Sequence, residues 1–257
     1  RPGPALVRSP LRALGLLLVA VLAACDAAPE RLAADWEIFG GQLLDGTGAP
    51  PRPGTLWLKD GRILAVTEPG LQPFTAAQRF DATGRVVTPG FIDPHSHGDP
   101  EATPAFENFT AMGVTTITLG QDGSSAEVVD LAPYRAKLEA LPLGPNVALF
   151  VGHGALRTLA GVDRDPNPSA EALARMQRLL DAALDHTFGL SSGLEYNPGL
   201  WAPERELLAL AEVVGRRDRV IMSHLRSEDD DQLFAALDEL FAQGRLARVH
   251  VAHLKSV

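Results

Sequence analysis

The histidine pair His95 and His97 follows a short apolar run, in the segment TPGFIDPHSHGD at residues 88–99. In a strand, side chains two residues apart point to the same side, so both imidazoles would face one way together with Asp93. Two neutral imidazoles that converge on one point supply half of a divalent-metal site, and zinc is the metal that best suits such ligands. A His-x-His pair also arises by chance, so the prediction needs further ligands elsewhere in the chain.

From residue 89 onward, apolar strand-like runs alternate with helix-like stretches. We predict strands at residues 90–93, 115–119, 147–151, 188–191, 220–223 and 248–252, and helices at residues 169–185, 203–216 and 228–243. Six strands that alternate with helices predict an α/β fold with a parallel sheet, as an incomplete (β/α)8 TIM-type barrel; a six-unit open sheet is the alternative. Ahead of them, short runs separated by Asp-Gly and Gly-rich turns between residues 36 and 87 predict a small β-domain with antiparallel hairpins.

Polar side chains recur where the predicted strands end, which is where barrels of this type carry their catalytic groups. They are Asp122, His153, His224 and His253, after the second, third, fifth and sixth strands. A single histidine at a strand end is more often structural, but this recurrence beside the His-x-His pair favours metal binding. Asp122 has an alternative role as a cap of the following helix.

Three other residues receive weaker interpretations. His186 lies at the end of a predicted helix, where a cation suits the helix dipole, and we interpret it as structural. His250 has the opposite strand parity to His253 and should face the helices. Tyr196, in the glycine-rich run of residues 189–199, either packs within its loop or contacts a ligand.

Taken together, six motifs resemble the D-aminoacylase, or N-acyl-D-amino-acid deacylase, branch of the amidohydrolase superfamily. They are Pro-Gly-Phe-Ile-Asp-Pro-His-Ser-His, Gly-Val-Thr-Thr-Ile-Thr-Leu-Gly, Gly-His-Gly-Ala-Leu-Arg, Gly-Leu-Glu-Tyr-Asn-Pro-Gly, Ser-His-Leu-Arg-Ser-Glu and Ala-His-Leu-Lys, and they cover residues 36–257 in the family's order. The resemblance implies a small β-sandwich beside a (β/α)8 barrel that holds one or two Zn²⁺ ions.

The resemblance also implies roles for individual residues. His95 and His97 would bind the more exposed metal position, and His224 and His253 the other. Asp122 stands where the family usually has a Cys that joins the two metals, and a carboxylate can also ligate zinc. Three residues near the rim would help to hold the substrate carboxylate: Lys255, Arg226 and Tyr196.

The activity implied by the resemblance is zinc-dependent hydrolysis of the amide bond of an N-acyl-amino acid, of D configuration, to a carboxylic acid and a free amino acid. The family's proton-transferring Asp ends the last barrel strand, which is expected beyond residue 257, so these residues alone are expected to be inactive. Two alternatives stay open. One is an amidohydrolase acting on cyclic amides or dipeptides, although those often use a carboxylated Lys where this chain has Ser-Ser-Gly. The other is a non-catalytic lipoprotein that binds a metal or a small solute.

The first 25 residues have the pattern of a bacterial lipoprotein signal. Arg1, Arg8 and Arg12 flank or precede an apolar run at residues 13–24, and Leu-Ala-Ala-Cys ends at Cys25, the only cysteine. We predict a signal peptide at residues 1–24, a lipidated Cys25 that anchors the protein to the membrane, a tether at 25–35, a β-sandwich segment at 36–88 and the barrel at 89–257. An ordinary secretory signal is the alternative.

This signal predicts a location in the bacterial cell envelope, facing the periplasm or the exterior. The 257 residues carry a formal net charge of −9. Such an acidic chain is a poor candidate for binding nucleic acid.

Overall fold

The structure is a computed structural model, and it describes residues 32–256. The predicted signal peptide and the lipidated Cys25 lie outside the described residues. The chain divides into two compact units, the first ending at Pro89 and the second beginning at Gly90. Within the described part of the chain, no helix is both long and apolar enough to cross a membrane.

The first unit consists of seven strands in two sheets. In chain order the strands are β1 (Leu32–Phe39), β2 (Gln42–Leu43), β3 (Arg52–Pro53), β4 (Thr55–Lys59), β5 (Arg62–Thr67), β6 (Phe74–Asp81) and β7 (Val86–Val87). One sheet has the order β5-β4-β1-β6 and the other β3-β2-β7. The β4/β5 hairpin turns at Asp60 and Gly61, both with positive φ, as the Asp-Gly turn signal predicts.

Strand β1 begins earlier than the sequence analysis predicts. Leu32 pairs in parallel with Phe74, and Ala34 is buried, so residues 32–35 of the predicted tether are strand. Alanine has little intrinsic preference for strands, so pairing with β6 decides the conformation here. The core of this unit is built around Trp57, whose Nε1 donates to Thr67 Oγ1 at 3.1 Å.

The second unit is a curled sheet of six parallel strands with helices between them. In chain order its elements are β8 (Phe91–Asp93), α1 (Glu107–Ala111), β9 (Val114–Leu119), α2 (Leu131–Glu139), β10 (Asn146–Gly152), α3 (His153–Ala160), α4 (Ala170–Ala183), β11 (Gly189–Gly193), a 3-10 turn (Gly199–Trp201), α5 (Glu204–Arg216), β12 (Val220–His224), α6 (Leu233–Gly244) and β13 (Arg248–Val251). The strands follow one another in sequence order from β8 to β13. The predicted fold class, an incomplete (β/α)8 barrel, is confirmed.

Apolar faces of the helices form the core against this sheet. Helix α4 buries Met176 and Leu180, and α5 buries Leu210, beside Val151 and Ile221 of the strands. Helix α4 begins where its sequence predicts, because Ser169 Oγ accepts from the Ala172 backbone N–H at 3.1 Å.

Helix α6 begins at Leu233 and not at residue 228 as predicted. Glu228 precedes the helix. Its side chain is buried, and its carboxylate accepts a hydrogen bond from Lys255. A turn in which the Gln232 N–H donates to the Asp229 carbonyl at 3.0 Å precedes the helix.

Candidate metal centre

The loop after β8 carries His95 and His97. Strand β8 ends at Asp93, so the two histidines lie beyond the strand, and it is the loop that brings their rings together, 5.2 Å apart between centroids. This loop is held to β9 because Thr118 Oγ1 donates to the Pro94 carbonyl and the Ser96 N–H donates to the Thr118 carbonyl. Burial lowers the pKa of His95 below its ordinary value of 6.5, against the opposing charge of Asp122, which favours the neutral ligand form.

Asp122 lies between these two histidines and His224, which comes from strand β12. Its Oδ2 is 2.9 Å from His97 Nε2 and 3.5 Å from His95 Nε2, while its Oδ1 is 3.9 Å from His224 Nδ1. The backbone of Asp122 has φ 54°, a left-handed conformation that Asp tolerates better than most residues. Helix α2 begins only at Leu131, so Asp122 is not its cap.

His224 and His253, from the ends of β12 and β13, face each other. His224 Nδ1 is 3.0 Å from His253 Nε2. The remaining ring nitrogen of each histidine faces a glutamate: His224 Nε2 lies 2.8 Å from Glu195 Oε2, and His253 Nδ1 lies 2.5 Å from Glu228 Oε1. Sequence analysis missed both glutamates as site residues, although each stands in a motif that it quoted.

The donor set fits a divalent cation. The candidate ligand atoms of His95, His97 and Asp122 all lie within 4.8 Å of one another, and so do those of Asp122, His224 and His253. Asp122 Oδ1 is buried without a hydrogen-bond partner, which is costly for a carboxylate unless a cation or donor meets it. Imidazole nitrogen and carboxylate oxygen are zinc ligands, so these five residues could hold two metal positions that share Asp122.

Tyr196 and Lys255 border this centre. The Tyr196 hydroxyl is 3.4 Å from His224 Nδ1, and burial together with the nearby carboxylates raises the pKa of this phenol. Lys255 Nζ donates to Glu228 Oε2, which raises the pKa of Lys255. Burial by itself would raise the pKa of Glu228, but the hydrogen bond from Lys255 and the charge of that lysine help to hold it below 4.5.

Arg226 is engaged elsewhere. Its guanidinium donates to the Glu239 carboxylate and to the carbonyls of Leu200 and Ala202. It therefore ties the loop before α5 to helix α6, and its role in substrate binding stays a prediction.

The other histidines lie apart from the centre. His153 opens helix α3, is fully buried and contacts Glu206, so the recurrence of polar residues at strand ends is misleading at the third strand. His250 is exposed on β13 and His186 is half-buried after α4.

A cavity of about 620 Å³ adjoins the metal centre. Its lining includes His97, Asp122, Ser124, Thr158, Leu159 and Tyr196. A small molecule in this cavity would therefore reach both Asp122 and the Tyr196 side chain.

Comparison with known proteins finds relatives of this chain, although no family model matches the sequence. The chain is 37% identical over 234 residues to an N-acyl-D-glutamate deacylase from Alcaligenes xylosoxydans xylosoxydans, covering 82% of this chain and 47% of that enzyme. An N-acyl-D-aspartate deacylase from the same organism is 33% identical, over 86% of this chain and 48% of that enzyme.

Solved structures agree. The crystal structure of N-acyl-D-glutamate deacylase from Bordetella bronchiseptica, complexed with zinc and a phosphonate that mimics the tetrahedral intermediate, superposes with a TM-score of 0.77 at 39% identity, over 83% of this chain and 49% of that one. The matched part of the chain belongs to the N-acyl-D-amino-acid deacylase branch of the amidohydrolase superfamily. The resemblance seen in the sequence motifs is thus confirmed. The chain spans about half the length of these relatives.

A D-aminoacylase with a binuclear metal centre gives a TM-score of 0.75 at 29% identity, over 85% of this chain and 51% of that one.

Proposed function

We propose that this protein is a zinc-dependent deacylase that hydrolyses the amide bond of N-acyl-D-amino acids, releasing a carboxylic acid and a free amino acid. The observation that carries the proposal is the convergence of four imidazoles on the single carboxylate of Asp122 at the carboxyl ends of parallel strands. Relatives named as N-acyl-D-glutamate and N-acyl-D-aspartate deacylases support the substrate class.

Zinc is the proposed cofactor, in one or two positions. His95, His97 and Asp122 would hold one ion, and Asp122, His224 and His253 the other. When bound, zinc supplies Lewis acidity that polarises an acyl carbonyl and activates water near neutral pH. The zinc in the related Bordetella deacylase supports this assignment.

The chain's own residues bind and orient the substrate. Tyr196, raised in pKa and therefore a neutral phenol, presents a hydroxyl beside His224, where it donates a hydrogen bond to a substrate oxygen. Lys255 supplies a cation for the substrate carboxylate, next to Glu228. The cavity beside Asp122 accommodates the rest of the substrate.

We also propose that Cys25 is lipidated and anchors the protein in the bacterial cell envelope. The Leu-Ala-Ala-Cys sequence after an apolar run supports this. Metabolic labelling with a radioactive fatty acid should mark the wild-type protein and not a Cys25→Ala variant; label retained in the variant would refute the anchor.

The function is tested by zinc analysis and by amino-acid release from a panel of N-acyl-D- and N-acyl-L-amino acids, using the intact protein without its lipid. Asp122→Asn keeps the shape and the left-handed backbone preference but removes the charge, so zinc and D-selective release should both be lost. Asp60→Asn, at a similar φ of 49° in the β4/β5 turn, is the matched control and should change neither.

Other results would replace the proposal. Protein without zinc or turnover would refute it. Zinc with release only from cyclic amides or dipeptides would favour another amidohydrolase reaction. Zinc without any turnover would favour a metal-binding or solute-binding protein.

A further inference from the structure

We infer that Glu195 and Glu228 are positioning residues, which hold His224 and His253 in opposite tautomers so that both present a bare nitrogen to one metal position. The inference rests on the proposed function, because it concerns the same metal centre. The two glutamates come from different loops, one after β11 and one after β12. Glu195 contacts the ring nitrogen of His224 that faces away from Asp122. Glu228 contacts the ring nitrogen of His253 that faces away from His224.

The two histidines use different ring atoms. On His224, Nε2 faces Glu195 at 2.8 Å and Nδ1 faces Asp122 and His253. On His253, Nδ1 faces Glu228 at 2.5 Å and Nε2 faces His224. Glu195 and His224 are hydrogen-bonded, and because an ionised carboxylate only accepts hydrogen bonds, His224 Nε2 must carry the proton. Glu228 Oε1 and His253 Nδ1 lie 2.5 Å apart without hydrogen-bond geometry, but at that distance the carboxylate would repel a lone pair, so His253 Nδ1 must also carry the proton. His224 is therefore protonated on Nε2, and His253 on Nδ1.

This tautomer assignment leaves acceptors facing one another. His224 Nδ1 and His253 Nε2 are 3.0 Å apart and both then carry lone pairs, while Asp122 Oδ1 lies 3.9 Å from His224 Nδ1 and has no hydrogen-bond partner. The Tyr196 hydroxyl is 3.4 Å from His224 Nδ1, longer than an ordinary hydrogen bond of that type. Three converging acceptors repel one another unless a cation lies between them. By fixing the tautomers of the two histidines, the glutamates therefore favour binding of a metal ion.

The two glutamates should not contribute equally. Glu228 is 3% exposed, and its Oε2 accepts from Lys255, so the carboxylate is held by burial and by this hydrogen bond while its Oε1 lies beside His253. Glu195 is 47% exposed and is free to exchange its histidine for water. We therefore expect Glu228 to have the larger effect on metal affinity. Substituting outer partners of metal-bound histidines typically weakens metal binding by about 10- to 100-fold.

The test measures zinc affinity by competition with a chelator, on the intact protein and its variants. Glu228→Gln should weaken zinc binding toward the upper end of about 10- to 100-fold, and Glu195→Gln toward the lower end. Glu212→Gln, an exposed position on α5, is the control and should leave affinity unchanged. Because Glu195 is half-exposed, its variant remains informative if Glu228→Gln does not fold.

A second readout tests positioning directly. Nitrogen NMR of the zinc-loaded protein with labelled histidine should show His224 protonated only on Nε2 and His253 only on Nδ1, with Glu195→Gln broadening or shifting the His224 signals alone. The reverse tautomers, or zinc affinity unchanged in both glutamine variants, would overturn the inference. An inactive protein that binds zinc with these tautomers would refute only the proposed activity, so the two failures are distinguishable.

Discussion

Replacing Glu206 by Gln should destabilise the second unit although Glu206 lies outside the metal centre. Glu206, Arg157 and His153 are all fully buried. Arg157 Nη1 donates to both carboxylate oxygens at 2.7 Å, and its other nitrogens donate to the carbonyls of Asp163 and Asp165. His153 Nε2 lies 2.7 Å from Glu206 Oε1. One carboxylate therefore balances the guanidinium and orients the imidazole.

The expected magnitude follows from this geometry. Glutamine has nearly the volume of glutamate, so no cavity forms, but one acceptor becomes an NH₂ donor that must face Arg157 or His153. The guanidinium also loses its counter-charge inside the core. Removing one partner of such a buried pair costs about 3–5 kcal/mol. At about 2–4 °C per kcal/mol for a domain of this size, the melting temperature should fall by about 6–20 °C.

The measurement is urea and thermal unfolding of the intact protein, with Glu212→Gln on the same helix as control. The control should stay within about 0.5 kcal/mol of wild type, because Glu212 is exposed. The double variant Arg157→Met/Glu206→Met should cost less than the two single substitutions added together, since no charge is left unpaired. A Glu206→Gln loss below about 1 kcal/mol would refute the view that this ion pair is structurally essential.

Three other predictions concern pH, the metal loop and a helix cap. Burial by itself would raise the pKa of Glu206, but His153 and Arg157 hold it below 4.5. The stability that this lowered pKa supplies is present above about pH 4.5 and is lost as the pH falls through the folded-state pKa. Acid unfolding should therefore be less steep in Glu206→Gln. In Gly193→Ala the new methyl would lie 2.2 Å from the Asp122 carbonyl oxygen, so unfolding and chelator titrations should show a loss of about 1–3 kcal/mol and weaker zinc binding. Ser169→Ala should cost about 1 kcal/mol in urea unfolding, through loss of the α4 cap.

Most strands of the second unit could be predicted from the sequence, because they are apolar or alternating runs followed by glycine or a polar residue; β11, with the sequence Gly-Leu-Ser-Ser-Gly, is the least apolar of them. Parallel connection then places their carboxyl ends at one edge, which is why His224 and His253 meet although 29 residues separate them. The same reasoning fails for His153. It also follows a strand, but helix α3 starts there, and its ring turns toward Glu206 in the core. Strand ends and helix starts share one sequence pattern, so only packing separates them.

Glu195 and Glu228 could not be found by counting metal ligands. In the sequence, Glu228 has the pattern of a residue on a helix face, and the sequence analysis therefore placed it at the start of the predicted helix at residues 228–243. Its role depends on Lys255 and His253, which reach it only after β13 pairs with β12. Outer partners of this kind depend on contacts between loops, and those contacts have no local signature.

Asp122 makes the two proposed metal positions interdependent. Its Oδ2 faces His95 and His97, whereas its Oδ1 faces His224, so a single side chain divides its two oxygens between the two groups of histidines. Rotation of the carboxylate toward one group must withdraw it from the other. Gly193, where a Cβ would lie 2.2 Å from the Asp122 carbonyl oxygen, packs directly against the Asp122 backbone and so fixes the position from which the carboxylate extends. The centre is therefore set by close backbone packing beneath Asp122 as much as by the ligands themselves.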